Sequence, residues 1–153
     1  MRTDYNYWEN TIAHFTETIY FAIMFATSGG DTPPLVGHNA FLRWSAIKAV
    51  AKDDRKVEGF KLYWAEDRVS EDFDLSLRLL TSNYIGRYVT YTGTGFQEGV
   101  SLTVHDEIIR LKKYAFGACE MAFNRVRDVL VCKGIIADSY RRFLASKVPW
   151  HSK

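Results

Sequence analysis

A chain of 153 residues with 47% hydrophobic and 25% charged side chains has the composition of one ordinary globular domain, long enough to bury a sizeable core, which excludes a disordered or low-complexity protein. Its formal charge of +2 is too small to bind nucleic acid or a membrane by net field alone, so any anion site must be local and no nucleic-acid partner is expected. The 15% aromatic content suits either an apolar core or a sugar-binding cleft, because an aromatic face packs equally well on hydrocarbon and on the C–H face of a pyranose.

From Trp8 to Thr27 the apolar residues Ile12, Phe15, Ile19, Ala22, Ile23 and Ala26 recur at helical spacing, which predicts one long, largely buried helix ended by Ser28, Gly29 and Gly30. The most apolar stretch, Ile19 to Ala26, falls well short of the ~18–20 residues of a bilayer span, so no transmembrane segment is expected. Asp31-Thr32-Pro33-Pro34 predicts a rigid loop. A short strand at Ala40 to Leu42 and a helix from Ser45 to Lys52 follow, then a loop or short strand from Val57 to Tyr63. Ser70 is placed to cap a helix from Glu71 to Leu80 whose apolar residues are Phe73, Leu77 and Leu80. Arg87 to Thr92 alternates as a strand does, and Gly93, Gly95 and Gly99 make the next segment a loop. A long helix is expected from Leu102 to Phe123 and a short one from Ser139 to Ala145, ahead of Pro149. With no internal repeat or linker, residues 1–153 read as a single helix-rich α/β domain whose strands are too few to complete a sheet alone.

Two cysteines, Cys119 and Cys132, without a secretory leader favour a reduced, cytosol-facing domain over a disulfide scaffold. The histidines at positions 14, 38, 105 and 151 are scattered, and no metal-ligand spacing is visible.

The densest chemistry lies at Glu66, Asp67, Glu71, Asp72 and Asp74. Carboxylates in a first helical turn are favoured by the helix dipole, which accounts for Glu71 and Asp72 without any catalysis. The other reading is that one of them accepts the proton of an attacking hydroxyl, for which a helix start is a rigid mount. Upstream, Gly37 would let backbone approach a ligand closely, and Asn39 offers both donor and acceptor groups; a turn and a structural histidine at His38 are the plainer alternatives. Downstream, Arg110, Lys113 and Tyr114 make either a solvated basic helix face or an anion and ring-stacking site.

Ser70-Glu71-Asp72 resembles the Thr/Ser-Glu-Asp motif of family 2 glycosyltransferases of the cellulose, chitin and hyaluronan synthase type. Gly37-His38-Asn39-Ala40-Phe41-Leu42-Arg43 resembles their Gly-x-Asn-x-x-x-Arg segment, and Arg110 to Tyr114 resembles their Gln-x-x-Arg-Trp motif with Arg110, Lys113 and Tyr114 in place of Gln, Arg and Trp. Trp64-Ala65-Glu66-Asp67 and Phe96-Gln97-Glu98-Gly99-Val100-Ser101-Leu102 extend the likeness, which is closest to a fungal-type, membrane-associated branch and runs from about Trp8 to the C-terminus.

The resemblance implies the acceptor and base half of a GT-A, Rossmann-like transferase domain. It makes Asp72 the general base and Glu71 its supporting acid, with Asp74 a solvated helix residue. It gives Gly37, His38, Asn39, Glu98, Arg110, Lys113 and Tyr114 to substrate, with Lys113 neutralising a diphosphate and Tyr114 presenting a ring to the acceptor. The implied partners are a nucleotide sugar and a glycan acceptor, with the membrane reached through flanking helices of the parent. Mg2+ or Mn2+ is expected for the complete enzyme, on an Asp-x-Asp site that should precede this chain's donor-lacking start, so the isolated chain is expected to be inactive. A non-catalytic glycan- or protein-binding module and an inactive fragment are the competing readings.

Overall fold

The computed structural model describes the whole chain except residues 1–5, 30–31, 36, 38, 55–56, 66–67, 90–98, 132–133 and 151–152. Six helices and one two-stranded sheet are present among the described residues: α1 (Tyr7–Thr27), α2 (Trp44–Ala49), β1 (Lys52–Asp53), β2 (Lys61–Leu62), α3 (Glu71–Thr81), α4 (Val104–Ala122), α5 (Val126–Leu130) and α6 (Asp138–Ala145).

The two long helices start where side chains satisfy their first amides. At α1, Asn6 Oδ1 accepts from the amides of Trp8 and Glu9 at 3.1 and 3.2 Å, while Asn6 Nδ2 donates to Glu9 Oε1 at 2.9 Å. At α4, Thr103 Oγ1 accepts from the Asp106 amide at 3.1 Å and donates to Asp106 Oδ2 at 2.6 Å. Such caps remove orphan donors and are each worth ~1 kcal/mol. Strands β1 and β2 pair antiparallel in the register Lys52 to Leu62 and Asp53 to Lys61, and the connecting turn holds Gly59 at φ +82°.

Helix α3 is the centre of the fold. Leu75 is completely buried, and Ala46, Ile47, Val50, Ala65, Met121, Ala137 and Phe143 complete a core drawn from α2, α4 and α6. Burying one such leucine contributes about 1.5–3 kcal/mol. After α4 the chain turns through α5, and an isolated bridge between Phe123 and Ile136 returns it, so that α6 packs on α3 and α4. Asn124 Nδ2 holds this return by donating to the carbonyls of Gly134 and Ile136 at 2.9 and 3.1 Å.

The other fully buried side chain is Asp74, 1% exposed. Lys52 Nζ reaches its two oxygens at 3.1 and 2.9 Å, and Arg78 Nε donates to Oδ2 at 2.8 Å. The remaining Arg78 donors go to the carbonyls of Val50, at 2.6 Å, and Tyr63, at 2.8 Å. One guanidinium thus ties α3 to the end of α2 and to the chain leaving β2. This corrects the expectation of a solvated Asp74: the carboxylate is buried because two cations and the geometry of an i, i+4 pair are waiting for it.

Other expectations are revised for related reasons. Helix α1 forms over almost its expected span, but only Ile12 is buried, while Phe15, Phe21 and Phe25 are exposed: apolar spacing sets the helix and not what packs on it. Phe73 is half exposed, and the packed residues of α3 are Asp74, Leu75 and Ser76. Residues 40–42 and 87–89 are not strands, residues 90–92 lie outside the described chain, and the helix expected to reach Lys52 stops at Ala49 so that Lys52 can enter β1. The short α5 has no counterpart in the expected elements.

The accessible surface is 11894 Å², against roughly 7,900 Å² for a folded monomer of this 17.6 kDa mass. The excess is consistent with the many uncovered apolar side chains of α1 and α4.

Arg78→Ala is expected to destabilise the chain by about 3 kcal/mol in urea denaturation, since it leaves Asp74 short of its principal partner, while Lys52→Ala, with its ammonium half exposed, costs less than about 1 kcal/mol.

Candidate active site

The first turn of α3 is approached by two glycines from opposite ends of the sequence. Gly37, at φ +87°, lies directly on the Asp72 side chain: a β-carbon at position 37 would stand 2.7 Å from the carboxyl carbon and overlap an oxygen. The positive φ and this overlap both exclude a larger residue. Asn39, two residues on, is also left-handed at φ 55°, a conformation asparagine tolerates better than most. The loop before α2 is therefore shaped to bring bare backbone against Asp72.

Gly117 makes the second approach. It is buried inside α4, and a β-carbon there would overlap the Ser70 hydroxyl and come within 3.0 Å of Ser70 Cβ. Ser70 sits at the N-cap position of α3 but makes no side-chain cap; its hydroxyl faces α4. The expected capping role is thus replaced by a helix-to-turn packing contact. The same turn is tied to α4 again where the Val69 amide donates to Glu120 Oε2 at 3.2 Å.

Between that turn and α4 lies an open cleft of about 480 Å³ lined by Trp64, Arg68, Val69, Glu71 and Lys113. Glu71 and Lys113, read from distant parts of the sequence, are brought together in it. Arg68, which the sequence reading passed over, joins them, and its Nη1 rests 3.5 Å from Met121 Sδ.

Arg110 and Tyr114 are engaged elsewhere. Arg110 donates through Nε and Nη2 to the two oxygens of buried Glu107 at 2.9 and 2.7 Å, a bidentate pair, and its guanidinium lies 5.8 Å from the centre of the Tyr114 ring. The Arg110 hydrogen bonds hold the Glu107 carboxyl below its ordinary value of 4.5 despite burial, which acts the other way, with a further hydrogen bond from Ser101 helping. Glu107 in turn raises Arg110 above the usual guanidinium value. His38 and Glu98, both expected at substrate, lie outside the described residues.

Among the described residues no group of three or more His, Cys, Asp or Glu side chains could hold a cation. Asp72 faces Gly37 while Asp74, two residues on, is consumed by Lys52 and Arg78. The described residues do not fit a divalent ion.

Two of these residues carried a sequence signal that went unused. A glycine in the interior of a long helix costs ~1 kcal/mol against alanine, so Gly117 implied a close approach. Glu107, placed three residues before Arg110, had the spacing of an intrahelical pair. Arg68 had none.

The sequence matches the model of the glycosyl transferase family group 2 over residues 1–153. The chain belongs to this family, and its helix-rich α/β fold is that of a family 2 glycosyltransferase domain. Comparison with curated proteins and with solved structures gives no significant match. Among the described residues no helix is long and apolar enough to cross a membrane.

Gly117→Ala should cost about 1–3 kcal/mol by overpacking, and Ser70→Gly in the same chain should recover most of it, a coupling that a double-mutant cycle in urea will measure. Because the Glu107 value is depressed in the fold, its contribution is fully present above 4.5 and is lost as pH falls through the folded value. Glu107→Gln should therefore flatten the decline of stability in acid, read from thermal melts across that range.

Proposed function

We propose that this domain performs inverting transfer of a sugar from a nucleotide sugar, a UDP-sugar, to a hydroxyl of a polysaccharide or glycolipid acceptor, with Asp72 as the general base. The acceptor oxygen attacks the anomeric carbon as Asp72 takes its proton, and the nucleoside diphosphate leaves from the opposite face. The observation that carries this reading is the fixed approach of Gly37 to Asp72 at the start of α3, beside a cleft that holds Glu71 and Lys113.

Such a site brings one carboxylate of a helix start against the backbone of Gly37. Glu71 supports from within the cleft, and Lys113 offers a point charge to the departing diphosphate. Membership of the family and the order of the Gly37, Asp72 and Lys113 segments support placement in the membrane-associated synthase branch. The large uncovered apolar surface of α1 and α4 supports a domain that works in contact with a donor-binding half.

The test is transfer from a UDP-sugar to an oligosaccharide, assayed in the complete polypeptide that carries these residues. Asp72→Asn should lower kcat by about 10²- to 10⁴-fold, the usual worth of a general base, with KM little changed. Transfer near the unmutated rate would remove Asp72 from the base role.

A further inference from the structure

The family resemblance gives the ring that meets the acceptor sugar to Tyr114, but the geometry points elsewhere: we propose that Trp64 is the acceptor-sugar platform of this protein, with Arg68 and Glu71 as the polar groups of the same subsite. The inference rests on the glycosyl-transfer reading above and names the residue that holds the acceptor in it.

Tyr114 does not line the cleft that contains Glu71 and Lys113, and its ring is engaged by the Arg110 guanidinium, which Glu107 holds in place. Trp64 does line it, with about a third of its surface open. An indole is the largest flat apolar face a side chain offers, and a pyranose presents a matching C–H face. The wall is well supported. Ala65, next in the chain, is buried, Tyr63 packs against Trp44 with ring centres 5.0 Å apart, and the Tyr63 carbonyl is held by Arg78. The Arg68 amide donates to the Ala65 carbonyl at 3.0 Å, and the Val69 amide is fixed to Glu120 on α4.

The polar lining selects the ligand class. A sugar hydroxyl both donates and accepts, so it is matched by a set in which Arg68 donates and Glu71 accepts, while the Lys113 ammonium remains the charge offered to the diphosphate. The cleft supplies that mixed set around one aromatic wall, and its volume of about 480 Å³ is within the roughly 300–1,000 Å³ range of small-ligand sites. Glu71 belongs to the first turn of α3, so a sugar seated on Trp64 lies against the same turn that carries the proposed base.

The experiment is titration of the full chain with β-linked glucose and N-acetylglucosamine hexaoses, and separately with UDP, following the indole N–H signals of its four tryptophans by NMR. A hexaose should shift one indole signal, and that signal should be the one missing from Trp64→Phe, which retains a ring and binds within about threefold of the parent chain. Trp64→Ala should weaken binding about tenfold, whereas Tyr114→Ala should leave it within about twofold. Response of Trp8, Trp44 or Trp150 in place of Trp64, loss of binding only in Tyr114→Ala, or a shift of the Trp64 signal by UDP and not by either hexaose would each overturn the platform, as would the absence of any hexaose binding. Failure of Asp72 as base shows in the transfer rate of Asp72→Asn, and failure of Trp64 shows in which indole signal moves on hexaose binding.

Discussion

The first turn of α3 is held from three directions, and the rest of the described structure is arranged around those contacts. Asp74 is drawn into the interior by Lys52 and Arg78, Ser70 is pressed against the bare backbone of Gly117, and Asp72 is met by the left-handed Gly37. Positions 72 and 74 lie on opposite sides of a helix, because two residues span about 200° of turn. Anchoring one carboxylate inward therefore presents the other outward. A helix start is stiff, and fixing it at three points leaves Asp72 little freedom to wander.

The inward anchor has a cost. Burying a carboxylate is expensive, and a hydrophobic replacement of the whole network would serve stability as well or better. What the ionic version adds is connectivity: Arg78 reaches Asp74, the Val50 carbonyl and the Tyr63 carbonyl at once, so it sets the distances between α2, the hairpin and α3. The Tyr63 contact extends that order to Trp64 and hence to the cleft wall. Structure and candidate chemistry thus share one guanidinium.

Helix positions were the most legible part of the sequence, since α1, α3, α4 and α6 announced themselves through periodicity, caps and glycine stops, and all four formed within two residues of expectation. Burial was less legible. The apolar spacing of α1 identified a helix but could not say whether anything covers it, and the acidic letters of Asp72 and Asp74 looked alike although one is a core residue. The i,i+4 spacing of Arg78 was visible, but its further bonds to the Val50 and Tyr63 carbonyls and the arrival of Lys52, 22 positions earlier, were not. The same holds for the cleft: Glu71 and Lys113 were singled out separately, while Arg68 enters only because residues 68–70 pack against α4. Spacing along the chain placed Tyr114 beside Lys113, yet their side chains serve different neighbours.

In the proposed reading, the base Asp72, the acceptor wall Trp64 and the diphosphate cation Lys113 come from three separate parts of the chain that meet at the α3 start. The central claim is that Asp72 is aimed at the acceptor hydroxyl by that junction. The most direct measurement is a crystal structure of the complete polypeptide with an acceptor oligosaccharide bound. A terminal sugar hydroxyl within about 3.2 Å of an Asp72 carboxylate oxygen is the expected result; a bound sugar whose terminal hydroxyl lies against Glu71, with Asp72 out of hydrogen-bond reach, would contradict it.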